Sequence, residues 1–192
     1  GNKGVESVGR TSHNAWIQHG HDEVTKTIGE KIAKKVGIPL ENAEAFQVIY
    51  YDTNAEYRRH YDSWDHNGSE KTLRCMKYGG ARLKTALVYL NDVEEGGSTN
   101  LNRLNIDVLP KMGKLLIFEN TYPGTNIKHP LSEHAGMPVI KGEKYAFNLW
   151  FKECHSKKLY AEFNPEYYSK IQDIVSVENS VFNATNAAAT PR

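Results

Sequence analysis

The sequence predicts a mainly β fold with flanking helices, in the form of a β-sandwich or barrel that carries its helices on one side. Three features predict it: one amphipathic helical period near the start, a series of short β-type runs after it, and a glycine-centred turn between the last two runs. The 192 residues are 39% hydrophobic and 24% charged. A chain of this length and composition suits one domain with a continuous core.

The helix is predicted from apolar residues that recur every four positions, namely Val24, Ile28, Ile32 and Val36. Asp22 precedes this run and is a favoured N-cap residue. Gly37 and Pro39 follow it, and both residues are typical of the point where a helix ends. The pattern therefore predicts one helix with an apolar stripe that faces the core.

The strands are predicted from runs rich in Val, Ile, Tyr and Phe that are bounded by turn residues. These runs cover residues 45–51, 83–91, 114–119, 137–140 and 144–151. Lys141-Gly142-Glu143 separates the last two runs and predicts a hairpin.

Alternation along the last strand predicts its two faces. One face carries Tyr145, Phe147, Leu149 and Phe151 and is expected to pack in the core. The other face carries Lys144, Ala146, Asn148 and Trp150. A mixture of a lysine, an amide and an indole suits the lining of a cavity.

Two stretches lack a clean period. Residues 63–82 are polar and dotted with glycine, so they predict either a lid or a disordered loop, and we favour a lid. We assign residues 1–153 to the main domain and 154–192 to a C-terminal extension. Asn164-Pro165 predicts the start of a short helix in that extension, and residues 183–192 have the composition of a disordered end. The predicted helix carries Tyr168, Ile171 and Ile174.

The overall charge excludes several classes of partner. With 24 basic and 23 acidic residues the net charge is +1, which favours neither a nucleic acid nor a membrane surface. The apolar runs are far shorter than a membrane span, so we expect a soluble protein whose compartment the sequence does not reveal. The absence of an initiator methionine and of a signal-type pattern leaves open a leader that has been removed. Cys75 and Cys154 lack the spacing of a zinc site and are expected to be free thiols.

The first chemical signal is His60-Tyr61-Asp62. On an extended chain the side chains of His60 and Asp62 project to the same side and can share a metal ion. A second histidine would complete a two-histidine, one-carboxylate triad, which suits iron(II), and His134 is the candidate. The alternative is that His60 and Asp62 form a chance surface pair. His19-Gly20-His21 is a second possible metal-binding pair, but its polar context before the helix favours a solvated turn.

The second signal is Lys144, ten residues after His134. If a hairpin turn separates them, the two residues can lie on neighbouring strands that face one cavity. A buried ammonium group needs an anionic partner, and the distal carboxylate of 2-oxoglutarate would be one. The alternative is a surface lysine beside a turn.

Five blocks of sequence together resemble the catalytic domain of prolyl 4-hydroxylases. They occur in the family order: QVIYY (47–51), YRRHYD (57–62), TALVYLNDVEEGG (85–97), HAGMPVIKGEK (134–144) and NLW (148–150). The resemblance covers roughly residues 9–153 and implies a double-stranded β-helix, or jelly roll, in agreement with the strand pattern.

The resemblance also implies roles for individual residues. His60, Asp62 and His134 would hold iron(II), while Lys144 would bind 2-oxoglutarate with Tyr51 as a hydrogen-bond donor beside it. The residues near a bound peptide would be Tyr57, Arg82 and Trp150, with Arg10-Thr11-Ser12 beside the groove. Because it has a lysine in the cosubstrate role, the chain is similar to the collagen-type, plant, algal and viral enzymes. The implied reaction is hydroxylation of peptidyl proline at C4, with O2 as oxidant, succinate and CO2 as products, ascorbate as a further cofactor and a proline-rich peptide as substrate.

The chain departs from the family pattern at four places. Asn54 replaces a glycine, and asparagine is the residue that best tolerates a left-handed turn. Ser98 replaces a glutamate and Lys152 replaces a histidine, so peptide contacts are expected to differ. The helix that usually precedes the Arg10 segment is missing, which suggests a truncated N-terminal part. Two rivals stay open: a hydroxylase for a free amino acid or another side chain, and a binding module without turnover.

Overall fold

A computed structural model describes residues 9–65, 69–162, 164 and 166. Its eleven strands and two α-helices in this part of the chain are β1 (His13–Ile17), α1 (Glu23–Val36), β2 (Phe46–Tyr51), β3 (Tyr57–His60), α2 (Glu70–Met76), β4 (Arg82–Tyr89), β5 (Glu95–Gly96), β6 (Thr99–Leu101), β7 (Ile106–Val108), β8 (Leu115–Glu119), β9 (His134–Gly136), β10 (Val139–Lys141) and β11 (Lys144–Lys152). Short 3-10 helices cover Leu40–Asn42, Asn102–Leu104, Pro130–Ser132 and Tyr160–Glu162.

The strands form an antiparallel jelly roll, as predicted. A five-stranded sheet has the order β1-β2-β11-β4-β8, a four-stranded sheet has the order β3-β9-β6-β7, and β10 pairs with β5. The apolar cluster on the outer face of the large sheet joins α1 to Phe46, Phe147, Leu149 and Phe151. The inner-face cluster contains Ile49, Tyr51, Leu87, Tyr89 and Ala146. The large sheet is therefore buried on both faces, and its inner face is available to build a site.

Helix α1 confirms the predicted caps. The Asp22 side chain accepts a hydrogen bond from the Thr25 amide, and Gly37 ends the helix in the left-handed conformation with φ 78°. The apolar stripe is buried only in its second half, because Val24 and Ile28 are 66% and 37% exposed. Asn54 has φ 66°, so asparagine occupies a left-handed turn as its sequence position predicted.

The predicted hairpin at Lys141-Gly142-Glu143 is wrong. The turn exists, with Gly142 at φ 87°, but β10 pairs with β5 whereas β11 lies between β2 and β4. His134 and Lys144 are consequently on different sheets rather than on neighbouring strands. Alternation along β11 is confirmed for three of its four predicted core residues, while Tyr145 is 38% exposed and packs on Tyr50.

The described residues of the segment 63–82, namely 63–65 and 69–82, are more ordered than a disordered loop. They contain α2, which begins after the N-cap Ser69, and they bury Leu73 and Met76 against Ala81 and Tyr160. A helix of seven residues is too short to show a clear period in the sequence. A lid role for this segment stays a prediction.

The remaining predictions concern the ends of the chain and the thiols. In the described part of the chain no disulfide joins Cys75 and Cys154, in agreement with the prediction. The predicted helix with Tyr168, Ile171 and Ile174 and the predicted disordered end at 183–192 lie outside the described residues. The boundary at residue 153 stays a prediction. Within the described part of the chain, neither α-helix has the length and apolar character that a membrane crossing requires.

Candidate metal and cosubstrate site

Three predicted ligands converge between the two sheets. His60 ends β3 and is the register partner of His134, the first residue of β9, while Asp62 follows His60 by two positions. One nitrogen or oxygen atom from each of the three side chains lies within 4.8 Å of the others. His60 Nε2 is 3.6 Å from Asp62 Oδ1, and His134 Nε2 is 3.6 Å from Asp62 Oδ2. The structure therefore brings together the three residues that the sequence singled out.

Backbone carbonyls orient both imidazoles. His60 Nδ1 donates to the Arg58 carbonyl at 2.8 Å, and His134 Nδ1 donates to the Ser132 carbonyl at 2.8 Å. A carbonyl oxygen only accepts, so these contacts place the proton on Nδ1 and leave Nε2 as the free donor atom toward the shared centre. Burial lowers the pKa of His134, which favours the neutral form that binds metals.

A buried network holds Asp62. Its Oδ2 atom accepts from Thr85 Oγ1 at 2.7 Å and from Trp150 Nε1 at 2.9 Å, and Asn120 Nδ2 in turn donates to Thr85 Oγ1 at 2.8 Å. Burial by itself raises the pKa of Asp62, but the neighbouring His134 and His60 outweigh it and hold that pKa below its usual range. Asp62 is thus an ionised carboxylate in a fixed orientation. The sequence did not indicate Thr85 or Asn120, which only the fold brings to Asp62.

Lys144 lies deeper in the same cavity. Its side chain is buried, with 2% exposure, and Nζ donates to the Gly97 carbonyl at 2.7 Å. The rings of Tyr51 and Tyr89 lie 5.0 and 5.4 Å from Nζ. In the described part of the chain no carboxylate forms an ion pair with it, and burial lowers the pKa of Lys144 to about 8. An ammonium group in this position is a strong site for a carboxylate from outside the chain.

Tyr51 faces Lys144 directly, because the two residues are register partners on β2 and β11. The hydroxyl of Tyr51 approaches Gly136 on β9, where an added Cβ would lie 3.0 Å from it. A glycine at this position makes room for the phenol. The cavity of about 30 Å³ near Lys144 is also lined by His60, His134 and Tyr51. The two imidazoles and the lysine therefore share one small space, as predicted.

An open groove of about 580 Å³ is lined by two of the three donors, His60 and Asp62. The three predicted peptide-contact residues, Tyr57, Arg82 and Trp150, all line it. Tyr57 stacks on His60 with ring centroids 3.6 Å apart. Arg10 also lines the groove and lies over the Tyr57 ring at 4.9 Å, as the position of its segment predicted.

Arg82 forms part of the groove wall. It pairs with Glu44 through two contacts, Nε to Oε1 at 2.7 Å and Nη2 to Oε2 at 2.8 Å, and its guanidinium lies 3.6 Å from the centre of the Trp150 ring. Burial by itself lowers the pKa of Arg82, but the Glu44 carboxylate outweighs it and raises that pKa. Lys152 is buried beside this pair, 3.8 Å from Glu44, and donates to the Cys75 carbonyl.

Several groove residues were missed in the sequence. Trp16 and Trp64 line the groove, as do Lys128 and Asp65, which form an ion pair at 2.7 Å. The sequence pattern did not predict β1. Had it done so, side-chain alternation along that strand would have assigned Trp16 to one of its two faces. His19, dismissed as a metal ligand, contacts the Ala43 carbonyl and the edge of Phe46.

The residues fit a ferrous ion. Two imidazoles and one carboxylate, with no cysteine among them, are the donor set of the facial triad that mononuclear non-haem iron oxygenases use. A jelly roll that holds such a donor set beside a lysine with no carboxylate partner among the described residues is the arrangement expected of the class of oxygenases with an anionic cosubstrate.

Comparison with known proteins agrees with this class. Residues 46–152 match the 2OG-Fe(II) oxygenase superfamily, and the chain belongs to this family. A relative from Acanthamoeba polyphaga mimivirus is 39% identical over 150 residues, which cover 78% of this chain and 61% of the relative. Prolyl 4-hydroxylase 5 of Arabidopsis thaliana is 34% identical over 161 residues, which cover 74% of this chain and 53% of the plant protein. The chain thus spans between about half and three fifths of the length of these relatives.

Solved structures agree with the fold. The viral collagen prolyl hydroxylase of Paramecium bursaria Chlorella virus-1, in complex with 2OG, matches with a TM-score of 0.65 and 31% identity, covering 76% of this chain and 81% of the viral one. A prolyl-4-hydroxylase of Pseudomonas putida matches with a TM-score of 0.54 and 21% identity, covering 77% of this chain and 74% of the bacterial one. The second likeness concerns the fold alone.

Proposed function

We propose that this chain is the catalytic part of an iron(II)- and 2-oxoglutarate-dependent dioxygenase that hydroxylates peptidyl proline at C4. The observation that carries the proposal is the pairing of a complete donor triad with Lys144, a buried ammonium that forms no ion pair with the described residues. The viral and plant relatives named as prolyl hydroxylases support the choice of reaction.

The protein's residues divide the work. His60, Asp62 and His134 bind iron(II) and leave the remaining coordination positions to other ligands. Lys144 neutralises the distal carboxylate of 2-oxoglutarate, and the Tyr51 hydroxyl donates a hydrogen bond to it. When bound, iron(II) supplies the oxidative chemistry by which 2-oxoglutarate and O2 become succinate and CO2 while one oxygen atom enters the substrate C–H bond.

The groove supports a peptide as substrate. It is open, reaches His60 and Asp62, and is lined by aromatic side chains that include Tyr57 and Trp150. Aromatic rings pack well on proline, and a proline-rich peptide in the polyproline conformation loses little entropy on binding. We therefore infer a proline-rich peptide or protein as partner and no nucleic acid. Ascorbate is expected to sustain activity by keeping the iron reduced.

The experiment is to measure succinate release together with a mass gain of one oxygen atom on proline-rich peptides. Both signals are expected to require iron(II) and the peptide. His134→Ala is expected to abolish both, because one metal donor is lost. His19→Ala is the matched control, since His19 lies outside the triad, and it is expected to keep nearly full turnover.

Two outcomes would contradict the proposal. Succinate release that depends on a free amino acid, without oxygen transfer to peptide, would indicate a small-molecule hydroxylase. Normal turnover in His134→Ala would remove the proposed metal site.

A further inference from the structure

Asn120 directly follows β8 and belongs to the buried network around the metal donors. It is fully buried, with 0% exposure. Its Nδ2 atom donates to Thr85 Oγ1 at 2.8 Å, whereas Oδ1, which is also buried, has no hydrogen-bond partner among the described residues. An unsatisfied carbonyl oxygen in the interior costs free energy, so an apolar side chain would suit this position better if packing alone mattered. An amide retained at such a cost is expected to have a task that the Nδ2 donor performs.

The side chain of Asn120 acts on Asp62 through Thr85. A threonine hydroxyl donates a single proton, and the proton of Thr85 goes to Asp62 Oδ2 at 2.7 Å, because an ionised carboxylate only accepts. Thr85 Oγ1 therefore accepts from its other neighbour, and the Asn120 amide is that donor. Without this donor the hydroxyl would be free to rotate away from the carboxylate. The amide thus fixes the direction in which Thr85 holds Asp62.

The backbone of Asn120 supports a second metal donor. Its carbonyl accepts a hydrogen bond from the His129 amide at 2.9 Å. The His129 carbonyl accepts from the amide and from the hydroxyl of Ser132, at 3.0 and 2.7 Å. These bonds shape the turn that ends at Ser132, whose carbonyl accepts from His134 Nδ1 at 2.8 Å. The position of residue 120 therefore bears on the orientation of the His134 imidazole.

The two supports meet only at Asn120. Its N–H donates to the Leu83 carbonyl on β4 at 2.7 Å, and Leu83 is two residues from Thr85 on the same strand. One residue thus joins the network of Asp62 to the turn that precedes His134. The third donor, His60, is oriented separately by the Arg58 carbonyl.

We propose that Asn120 is a positioning residue that fixes Asp62 and His134 relative to each other before the metal ion binds. The inference rests on the proposed function, since it concerns the same site. The side-chain bond to Thr85 anchors residue 120, and the backbone bond to His129 transmits that anchor to the turn before His134. Loss of the side-chain bond is therefore expected to loosen two of the three donors. Preorganised donors bind a metal ion more tightly because binding has less to order.

The test begins with Asn120→Leu, which keeps the branching and approximate size of the side chain but removes the donor. The affinity of the metal-free protein for iron(II), measured by anaerobic titration, is expected to fall about tenfold. Cobalt(II) serves as a second probe, because its visible spectrum reports the geometry of its ligands, and this spectrum is expected to change.

Asn42→Leu is the matched control. Asn42 Nδ2 also donates inside the protein, to the carbonyls of Lys152 and Glu153, but it lies outside the network of the donors. This variant is expected to keep both the iron(II) affinity and the cobalt(II) spectrum of the wild-type protein, even if its Tm falls.

Two further measurements separate positioning from general destabilisation. In protein that already carries Thr85→Val, Asn120→Leu is expected to cause little additional loss of iron(II) affinity, because the two residues act in series. In NMR spectra of the metal-free protein, the ring nitrogen signals of His134 are expected to shift or broaden in Asn120→Leu, while those of His60 stay in place. The Tm of each variant shows whether it is folded, and Asn120→Ala replaces Asn120→Leu if the latter does not fold.

Wild-type iron(II) affinity in a folded Asn120 variant would overturn the inference. Additive losses in the double variant, or equal changes in the signals of His60 and His134, would also overturn it. If the wild-type protein binds iron(II) but hydroxylates no peptide, the proposed reaction has failed, while the metal titrations and NMR spectra still decide the inference. A wild-type protein that binds no iron(II) would overturn both.

Discussion

The two ends of the site each hold a cation, and the surroundings of the two cations differ. At the groove, Arg82 is held by two contacts with Glu44 and lies on the Trp150 ring, so its pKa is raised. In the inner cavity, Lys144 contacts a single carbonyl, and burial lowers its pKa to about 8. A cation that the chain pairs internally builds the wall of the site, whereas one that has no carboxylate partner among the described residues is suited to bind an anionic ligand.

Replacing Lys144 gives the largest expected effect. Lys144→Met is expected to raise the KM for 2-oxoglutarate by roughly 100-fold or more, because the distal carboxylate would lose the ammonium group that neutralises it. The Tm is expected to stay equal or rise, since the substitution also removes a desolvated charge from the folded protein. Steady-state kinetics and thermal unfolding of the ligand-free protein measure the two quantities. Lys141→Met, which removes a surface lysine paired with Glu94, is the control. A lower Tm with an unchanged KM would reverse the contrast between the two cations.

Replacing Glu44, the partner of Arg82, is expected to lower the stability of the protein while changing the KM for 2-oxoglutarate little, which is the opposite of the pattern expected for Lys144. Glu44→Gln is expected to destabilise the protein by about 2–3 kcal/mol, because the largely buried guanidinium would lose its charge partner. Urea unfolding measures this loss. The KM for 2-oxoglutarate is expected to change little, since Glu44 lies at the groove end. A stability equal to that of the wild-type protein would show that this pair contributes no more than a surface ion pair.

The buried carboxylate of Asp62 extends the comparison of Arg82 and Lys144. Thr85→Val removes one of the two donors to Asp62 Oδ2 and the acceptor of the Asn120 amide. The affinity for iron(II) is expected to fall about tenfold, as is usual when a residue that orients a metal ligand is lost. Thr85→Ser retains the hydroxyl and is expected to retain the affinity. Anaerobic metal titration measures both, and an unchanged affinity in Thr85→Val would show that Trp150 alone holds the carboxylate.

The pH dependence gives the smallest expected effect. Lys144 has a pKa of about 8 in the ligand-free protein, so the affinity for 2-oxoglutarate is expected to fall roughly fivefold between pH 8 and pH 9 as the ammonium is lost. The stability of the ligand-free protein, in contrast, is expected to rise with pH. Between about pH 8 and the ordinary lysine pKa of 10.5, the unfolded chain keeps a proton that the folded chain has released, so Lys144 makes stability rise with pH. Titrations at several pH values measure both trends, and Lys144→Met should remove them.

The sequence by itself determined the features that depend on a few neighbouring residues. The Asp22 and Gly37 caps and the left-handed Asn54 follow from local sterics and hydrogen bonding, and the structure confirms them. The two-residue spacing of His60 and Asp62, together with the remaining family blocks, indicated the same three candidate ligands that the structure brings together.

Only the tertiary structure decided which distant elements meet. The turn at Gly142 was correctly predicted, yet it joins strands of different sheets, because pairing depends on which partners bury the most apolar surface across the whole fold. Long-range proximity also gives Arg82 its Glu44 partner and brings Trp16 into line with Asn148. Such contacts have no local signature, since the residues involved are separated by tens of positions and their energy exists only once both sheets have formed.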